Sequence, residues 1–280
     1  MVSIVRSRQL AIMITIAAIV VALIVLLLGL VSVFQERIAF QPQKPPYPAV
    51  RNAVRVNYSA ADGQPLFAYL IGTPSADHRL LIAFHGNADM AALQVDWAQE
   101  ISRRTGAAVL VTEYRGYAGL PGKATYAGSR LDADAAYDFA RSIGVPPDRI
   151  AFFGHSLGSA IATELATRQE PFALILESPF TSARDMAQGV VGRRPSEFMW
   201  NLVSRIHYNT IENVRDLNVP VFVVHGGQDS LIPPAMGQKV FQAAKQKGEW
   251  LLVPGASHNN ISLRGGEPYW TWMTRSLSLP

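Results

Sequence analysis

The chain contains no cysteine, which excludes disulfides, thiolate metal sites and a thiol nucleophile. Charge is sparse at 16% of residues, and the net charge of +4 is small for 280 residues. The basic residues are dispersed, with Arg103-Arg104 and Arg193-Arg194 as the adjacent pairs, so nucleic acid is not an expected partner. No H-E-x-x-H occurs, the histidines are scattered and no carboxylate cluster has ligand spacing; no metal is expected. Neither a phosphate loop nor a G-x-G-x-x-G after a strand-like run is present, so no nucleotide cofactor is expected either.

What the chain does have begins with one apolar run. No charge lies between Gln9 and Gln35, and residues 10–34 are almost wholly apolar, which exceeds the ~20 residues needed to cross a bilayer. A cleaved signal peptide has an apolar stretch of only about 7–15 residues and a small-x-small exit. Neither holds here, so residues 10–34 read as an uncleaved, single-pass anchor helix after a short basic tail, 1–9. Arg6 and Arg8 on one side are answered by Arg37, Lys44 and Arg51 on the other. The short tail before a large remainder favours an N-inside orientation with the globular domain on the non-cytoplasmic side. Residues 35–49 form a linker whose proline-rich stretch, 41–48, is expected to be extended and to hold the domain off the membrane surface. Residues 50–280 suffice for one large domain and not for two.

Within that domain Val54-Arg55-Val56-Asn57-Tyr58 and Leu66-Phe67-Ala68-Tyr69-Leu70, separated by Ala61-Asp62-Gly63, predict an antiparallel hairpin. Strand-like apolar runs follow at 80–84, 107–113, 150–153, 172–177, 219–225 and 250–253. They alternate with helix-like stretches at 90–104, 125–143, 156–167, 234–247 and 269–277. The rhythm predicts an α/β domain: a mostly parallel twisted sheet of about eight strands with helices on both faces. Residues 181–217 interrupt it, with Phe198, Met199, Trp200, Leu202 and Val203. This insertion reads either as a helix packed on the sheet or as a small cap over a site.

The chemistry centres on Gly154-His155-Ser156-Leu157-Gly158, a G-x-S-x-G placed between a strand-like and a helix-like run. That context is a nucleophile elbow, with glycines where side chains would crowd a strained turn. A serine hydroxyl needs a base, and the base an orienting acid, in the chain order serine, acid, histidine. Asp229 follows the run at 219–225 and His258 the run at 250–253, both on loops at the edge where Ser156 sits. Asp138 lies within a helix and Asp148 precedes the nucleophile, which ranks them below Asp229 as the acid. An oxyanion needs preorganised donors. The Leu157 N–H supplies one by position. The second is expected from the loop after the third strand, His85-Gly86-Asn87-Ala88, with Asn87 preferred and Ala88 as the alternative.

His85-Gly86-Asn87-Ala88, Tyr114-Arg115-Gly116-Tyr117, the elbow, Glu177-Ser178-Pro179-Phe180-Thr181-Ser182, His225-Gly226-Gly227-Gln228-Asp229 and Gly255-Ala256-Ser257-His258-Asn259 stand in the order of an α/β-hydrolase. Together they make the chain resemble the Bem46-like group, whose relatives include mammalian α/β-hydrolase domain proteins with one N-terminal anchor helix. The resemblance spans residues 53–262. It implies Ser156 as nucleophile, His258 as general base and acid, Asp229 as its orienter, and Leu157 and Asn87 as oxyanion donors. It departs at Ala118-Gly119 and at Asn260, where relatives commonly carry other residues. The expected activity is hydrolysis of a carboxylic ester or thioester of a small-molecule or lipid acyl substrate. The alternatives are a serine peptidase of the same fold and a non-catalytic binding protein.

Overall fold

A computed structural model describes residues 2–75 and 78–278. The domain opens with the hairpin β1 (Val54–Ser59) and β2 (Pro65–Ile71), paired antiparallel with Tyr58 opposite Leu66. Gly63, at φ 79°, takes the left-handed turn position that a side chain would disfavour. Thereafter strand and helix alternate: β3 (Leu80–Phe84), α2 (Val95–Thr105), β4 (Ala108–Thr112), α3 (Tyr126–Ser142), β5 (Ile150–His155), α4 (Leu157–Ala166) and β6 (Leu174–Glu177). For clarity the preceding N-terminal helix, Val2–Ala39, is α1. The insertion holds α5 (Ala183–Val191), α6 (Glu197–Val203) and α7 (Thr210–Asp216). The chain closes with β7 (Pro220–Gly226), α8 (Pro234–Ala243), β8 (Gln246–Val253) and α9 (Ile261–Leu277).

The eight strands form one sheet in the order β1-β2-β4-β3-β5-β6-β7-β8. Only the pairings made by β2 are antiparallel; β4 through β8 run parallel. Alternate residues of each strand point to opposite faces. Leu80, Ile82 and Phe84 pack with Ala133, Ala136, Ile161 and Leu165 of α3 and α4 on one face. Leu81 and Ala83 pack with Ala98, Ile101, Trp272 and Met273 of α2 and α9 on the other. All five residues of β3 are buried, as are all five of β4, which explains why these runs show no polar alternation. Parallel strands put their carboxyl ends at one edge, so the loops after β3, β5, β7 and β8 share it.

Two sequence expectations are corrected here. The helix expected over 234–247 ends at Ala243, and Gln246-Lys247-Gly248-Glu249 opens β8 instead. This segment lies at the sheet edge and is largely solvent-facing, so it lacks the apolar pattern that marks a buried strand. The N-terminal helix extends past residue 34 into the stretch expected to be linker. The helix continues to Ala39, and Phe40, only 4% exposed, enters the core beside Tyr114 and Tyr117. Glu36 Oε1 accepts the Tyr126 amide at the start of α3 at 3.0 Å. Gln41 N–H donates to Asn87 Oδ1 at 2.8 Å, Gln43 Nε2 donates to the Ala88 carbonyl, and the Tyr47 ring lies against Gly119. Proline restricts the backbone of this stretch, but side chains on either side of the prolines dock it.

Candidate active site

Ser156 follows β5 and precedes α4, with φ 53° and ψ −116°. An L-residue rarely adopts such a conformation, and holding one there costs on the order of 1–3 kcal/mol. Its neighbours explain how the backbone tolerates it. A Cβ on Gly154 would lie 2.1 Å from the Gly158 carbonyl oxygen, and one on Gly158 would lie 2.0 Å from that of Phe84. Both positions therefore admit glycine alone. Gly158 in addition lets α4 start directly against the end of β3, which brings the 85–88 loop to the serine. A Cβ on Gly86 would fall 3.4 Å from Ser156 Cβ.

The three residues singled out in the sequence meet here. Ser156 Oγ lies 2.9 Å from His258 Nε2, and His258 Nδ1 lies 2.7 Å from Asp229 Oδ2. The tautomer with hydrogen on Nδ1 satisfies both contacts, since Nε2 then accepts from the serine hydroxyl and Nδ1–H donates to the carboxylate. Asp229 is buried and heavily bonded. Its Oδ1 accepts the Leu231 and Ile232 amides at 3.0 and 2.8 Å, and Ser178 Oγ donates to Oδ2 at 2.9 Å. Burial alone pushes this carboxyl up, but hydrogen bonds from His225, His258 and the Ile232 amide outweigh it and hold the group well below the ordinary range. Asp138 on α3 and Asp148 before β5 take no part in these contacts.

Both expected oxyanion donors border this serine. Neither the Asn87 nor the Leu157 backbone N–H has a protein acceptor among the described residues. The Ala88 N–H is already donated to Asn87 Oδ1 at 3.0 Å, which leaves it unavailable. The Asn87 side chain is held on several sides: its Nδ2 donates to the Ala39 carbonyl, and its Oδ1 accepts from Gln41 N–H and the Tyr117 hydroxyl, each at 2.8 Å. Beneath the loop, His85 Nε2 meets Glu113 Oε1 at 2.8 Å with both side chains fully buried. Burial opposes protonation of His85, but the Glu113 charge and hydrogen bond prevail and raise its pKa. The same carboxylate accepts the Ala91 and Tyr114 amides, and the Tyr114 hydroxyl donates to the His85 carbonyl at 2.8 Å. The pair thus braces the loop from below.

Some neighbours carry no role in the sequence reading. His225 Nε2 donates to the Ile232 carbonyl at 2.9 Å and lies 3.3 Å from Asp229 Oδ2, because the loop folds the strand end back over its own continuation. Ser178, at φ 47°, is fully buried beside the same carboxylate. The sequence offered one signal for each, namely their place in the segments that carry the family resemblance. His155 Nε2 donates to the His258 carbonyl at 3.1 Å. Burial and the proximity of His258 lower its pKa to about 4, so it stays neutral. Glu177, just before Ser178, is raised to about 7 by burial, against the lowering effects of a Tyr269 hydrogen bond and the His258 charge.

A family model described as serine aminopeptidase, S33, matches residues 75–210, which includes the elbow and stops before Asp229. The uncharacterized protein Rv2307c of Mycobacterium tuberculosis is 32% identical over 260 residues, covering 88% of this chain and 90% of that protein. The α/β-hydrolase domain-containing protein WAV2 of Arabidopsis thaliana is 29% identical over 269 residues, covering 86% and 87%. The human α/β-hydrolase domain-containing protein 17B is 28% identical over 194 residues, covering 69% and 64%. Among solved structures, Est1E of Butyrivibrio proteoclasticus with ferulic acid superposes with a TM-score of 0.65 at 22% identity, over 79% of this chain and 99% of that one. An esterase of Pyrococcus furiosus gives 0.63 at 19%, over 85% and 98%. With its antiparallel opening hairpin, its parallel continuation and a strained serine at the β5–α4 turn, this chain belongs to the α/β-hydrolase superfamily.

Proposed function

We propose that this protein is a membrane-anchored serine hydrolase that cleaves carboxylic esters or thioesters through an acyl-enzyme on Ser156. The observation that carries the reading is the unbroken series from Ser156 through His258 to Asp229, at 2.9 and 2.7 Å. His258 Nε2 takes the hydroxyl proton as Ser156 Oγ attacks the acyl carbon. Asp229, kept ionised, holds the imidazole in the required tautomer and stabilises the imidazolium. The Leu157 and Asn87 N–H groups receive the oxyanion, each contributing on the order of 3 kcal/mol. Collapse expels the alcohol or thiol, which takes the proton from His258. A water then gives a proton to His258 and attacks the acyl-enzyme, releasing the acid and restoring Ser156.

The anchor reading is supported by α1: within Ala11–Ala39 an 18-residue window reaches a mean hydropathy of 3.3, and none of that window is buried. Fusion of its end to the core through Phe40 speaks for retention of the helix. Apolar acyl or lipid substrates suit an enzyme held at a bilayer, and we assign the catalytic domain to the non-cytoplasmic side. The insertion at 181–217 would then border the acyl site as a small cap.

One test is fluorophosphonate labelling of the detergent-solubilised chain, together with turnover of p-nitrophenyl esters from acetate to palmitate. Labelling and turnover that vanish in Ser156→Ala are expected; activity retained by that variant would refute the mechanism. The description of the matching family favours a second reading, a serine peptidase. Serine-dependent cleavage of aminoacyl p-nitroanilides in preference to esters would select it.

A further inference from the structure

From the contacts between α1 and α6 we infer that α6 is a bilayer-contact element, seating its Phe198–Leu202 face in the membrane interface and thereby setting the active-site loop at the lipid surface. This rests on the reading of α1 as a membrane anchor. The physical anomaly is α6 itself. None of its seven residues is buried, yet Phe198 is 75% exposed and Leu202 64%. Phe198 and Leu202 are one helical turn apart, with Met199 and Val203 beside them, so they form a single apolar stripe. In water such a stripe is unfavourable. In a bilayer interface it is stabilising, as for an amphipathic helix lying in the membrane plane.

The depth of this stripe follows from α1. Residues 11–34 carry the uncharged apolar surface, and at ~1.5 Å per residue they span ~36 Å, enough for the hydrocarbon core with some tilt. Gln35 is the first residue past that span, and it is Gln35 that binds α6. Its Nε2 donates to the Val203 carbonyl at 2.9 Å, and its Oε1 accepts the Arg205 amide at 2.7 Å and the Ser204 hydroxyl at 3.2 Å. The last turn of α6 therefore sits level with the point where α1 leaves the hydrocarbon. Arg37, two residues past Gln35, and Arg205, whose amide binds Gln35, are exposed there and have no ion pair among the described residues, which places guanidinium groups where lipid phosphates lie. Four residues beyond Gln35, about 6 Å along the helix, the Ala39 carbonyl accepts from Asn87 Nδ2. The oxyanion loop is thus fixed within about one helical turn of the interface.

Because the chain has no native cysteine, single cysteines report position without background. The full chain is reconstituted in phosphatidylcholine–phosphatidylglycerol vesicles with an environment-sensitive nitrobenzoxadiazole probe at Phe198→Cys, Leu202→Cys, Ile19→Cys or Leu263→Cys. Leu263, 81% exposed on α9, which packs on α2, β7 and β8, serves as the apolar control. Probes at 198 and 202 should emit in the blue and be quenched by doxyl lipids as strongly as at 19, while the probe at 263 is quenched by aqueous iodide. Water-like behaviour at 198 and 202 with a buried probe at 19 would overturn this inference alone. A water-like probe at 19 would overturn the anchor reading and this inference with it. Neither readout needs catalysis, so the hydrolase reading stands or falls separately. As a second readout, the double variant Phe198→Asp, Leu202→Asp should lose at least tenfold in turnover of a vesicle-embedded long-chain ester and keep its turnover of soluble p-nitrophenyl acetate. An equal loss on both esters would count against a membrane-contact role.

Discussion

Replacing Asp229 with asparagine tests the site most severely, because every contact to this carboxylate comes from a donor. Oδ2 receives His258 Nδ1–H at 2.7 Å and the Ser178 hydroxyl at 2.9 Å, while Oδ1 receives the Leu231 and Ile232 amides at 3.0 and 2.8 Å. An amide has one acceptor end and one donor end. With its oxygen towards His258, the NH2 faces two backbone N–H groups, and two buried donors lose their acceptor at about 1–3 kcal/mol each. With its oxygen towards Leu231 and Ile232, the fold is largely spared, because the Ser178 hydroxyl can rotate to accept and His225 Nε2–H, 3.3 Å from Oδ2, keeps the Ile232 carbonyl as acceptor. The NH2 then faces His258 and forces hydrogen onto Nε2, where it blocks transfer from Ser156. The second orientation costs the structure less, so the variant should fold with a modestly lowered Tm. Its kcat should fall by about 10³–10⁴, equivalent to roughly 4–5.5 kcal/mol, with KM little changed. Initial rates on p-nitrophenyl butyrate, taken beside thermal unfolding, measure both effects. A folded Asp229→Asn variant with kcat within tenfold of the parent would refute the proposed role of Asp229. The pH dependence has a fixed sign: a carboxyl depressed in the fold contributes stability that is present above the ordinary carboxylate range and lost only as pH falls through its lower folded value. No change of rate between about pH 5 and pH 9 should therefore trace to Asp229.

Ser156→Gly should abolish turnover as completely as Ser156→Ala, yet unfold later than it by about 1 kcal/mol, since glycine accepts φ 53° without strain; equal stability of the two would argue against strain at the elbow. Phe40→Ala should cost about 3–4 kcal/mol in denaturant unfolding, because a 4% exposed ring leaves the core, whereas a free linker would show no change. Glu177→Gln should gain stability over the parent as pH rises. A carboxyl raised to about 7 stabilises the fold in its neutral form below the unfolded value near 4, and this is lost as pH climbs through 7. The advantage of Glu177→Gln should approach about 3 kcal/mol by pH 8, and a pH-independent difference would show that this carboxyl does not titrate there.

Most of the sheet was legible because its central strands are buried on both faces, as the continuous apolar runs at 80–84 and 150–153 require. The elbow was legible because its glycines answer local sterics: Gly154 and Gly158 stand four apart around one strained serine. The order serine, acid, histidine expected after such an elbow, together with parallel strands sharing one carboxyl edge, singled out Asp229 and His258 as candidates. The polar edge strand at Gln246-Lys247-Gly248-Glu249 was not legible, since an exposed edge imposes no apolar pattern. Nor did the proline-rich linker reveal that it lies along the domain, as its docking depends on Asn87 and Ala88, more than forty residues away in sequence.

The sequence by itself thus determined the α/β alternation, the anchor-like helix and the serine elbow, all of which rest on periodicity or on contacts within a few residues. Only the tertiary structure decided that His225 and Ser178 converge on Asp229, that Asn87 rather than Ala88 keeps a free amide, and that Gln35 ties α1 to α6. Those pairings join residues far apart in the chain. Their partners are chosen by how whole elements pack, which no local pattern records.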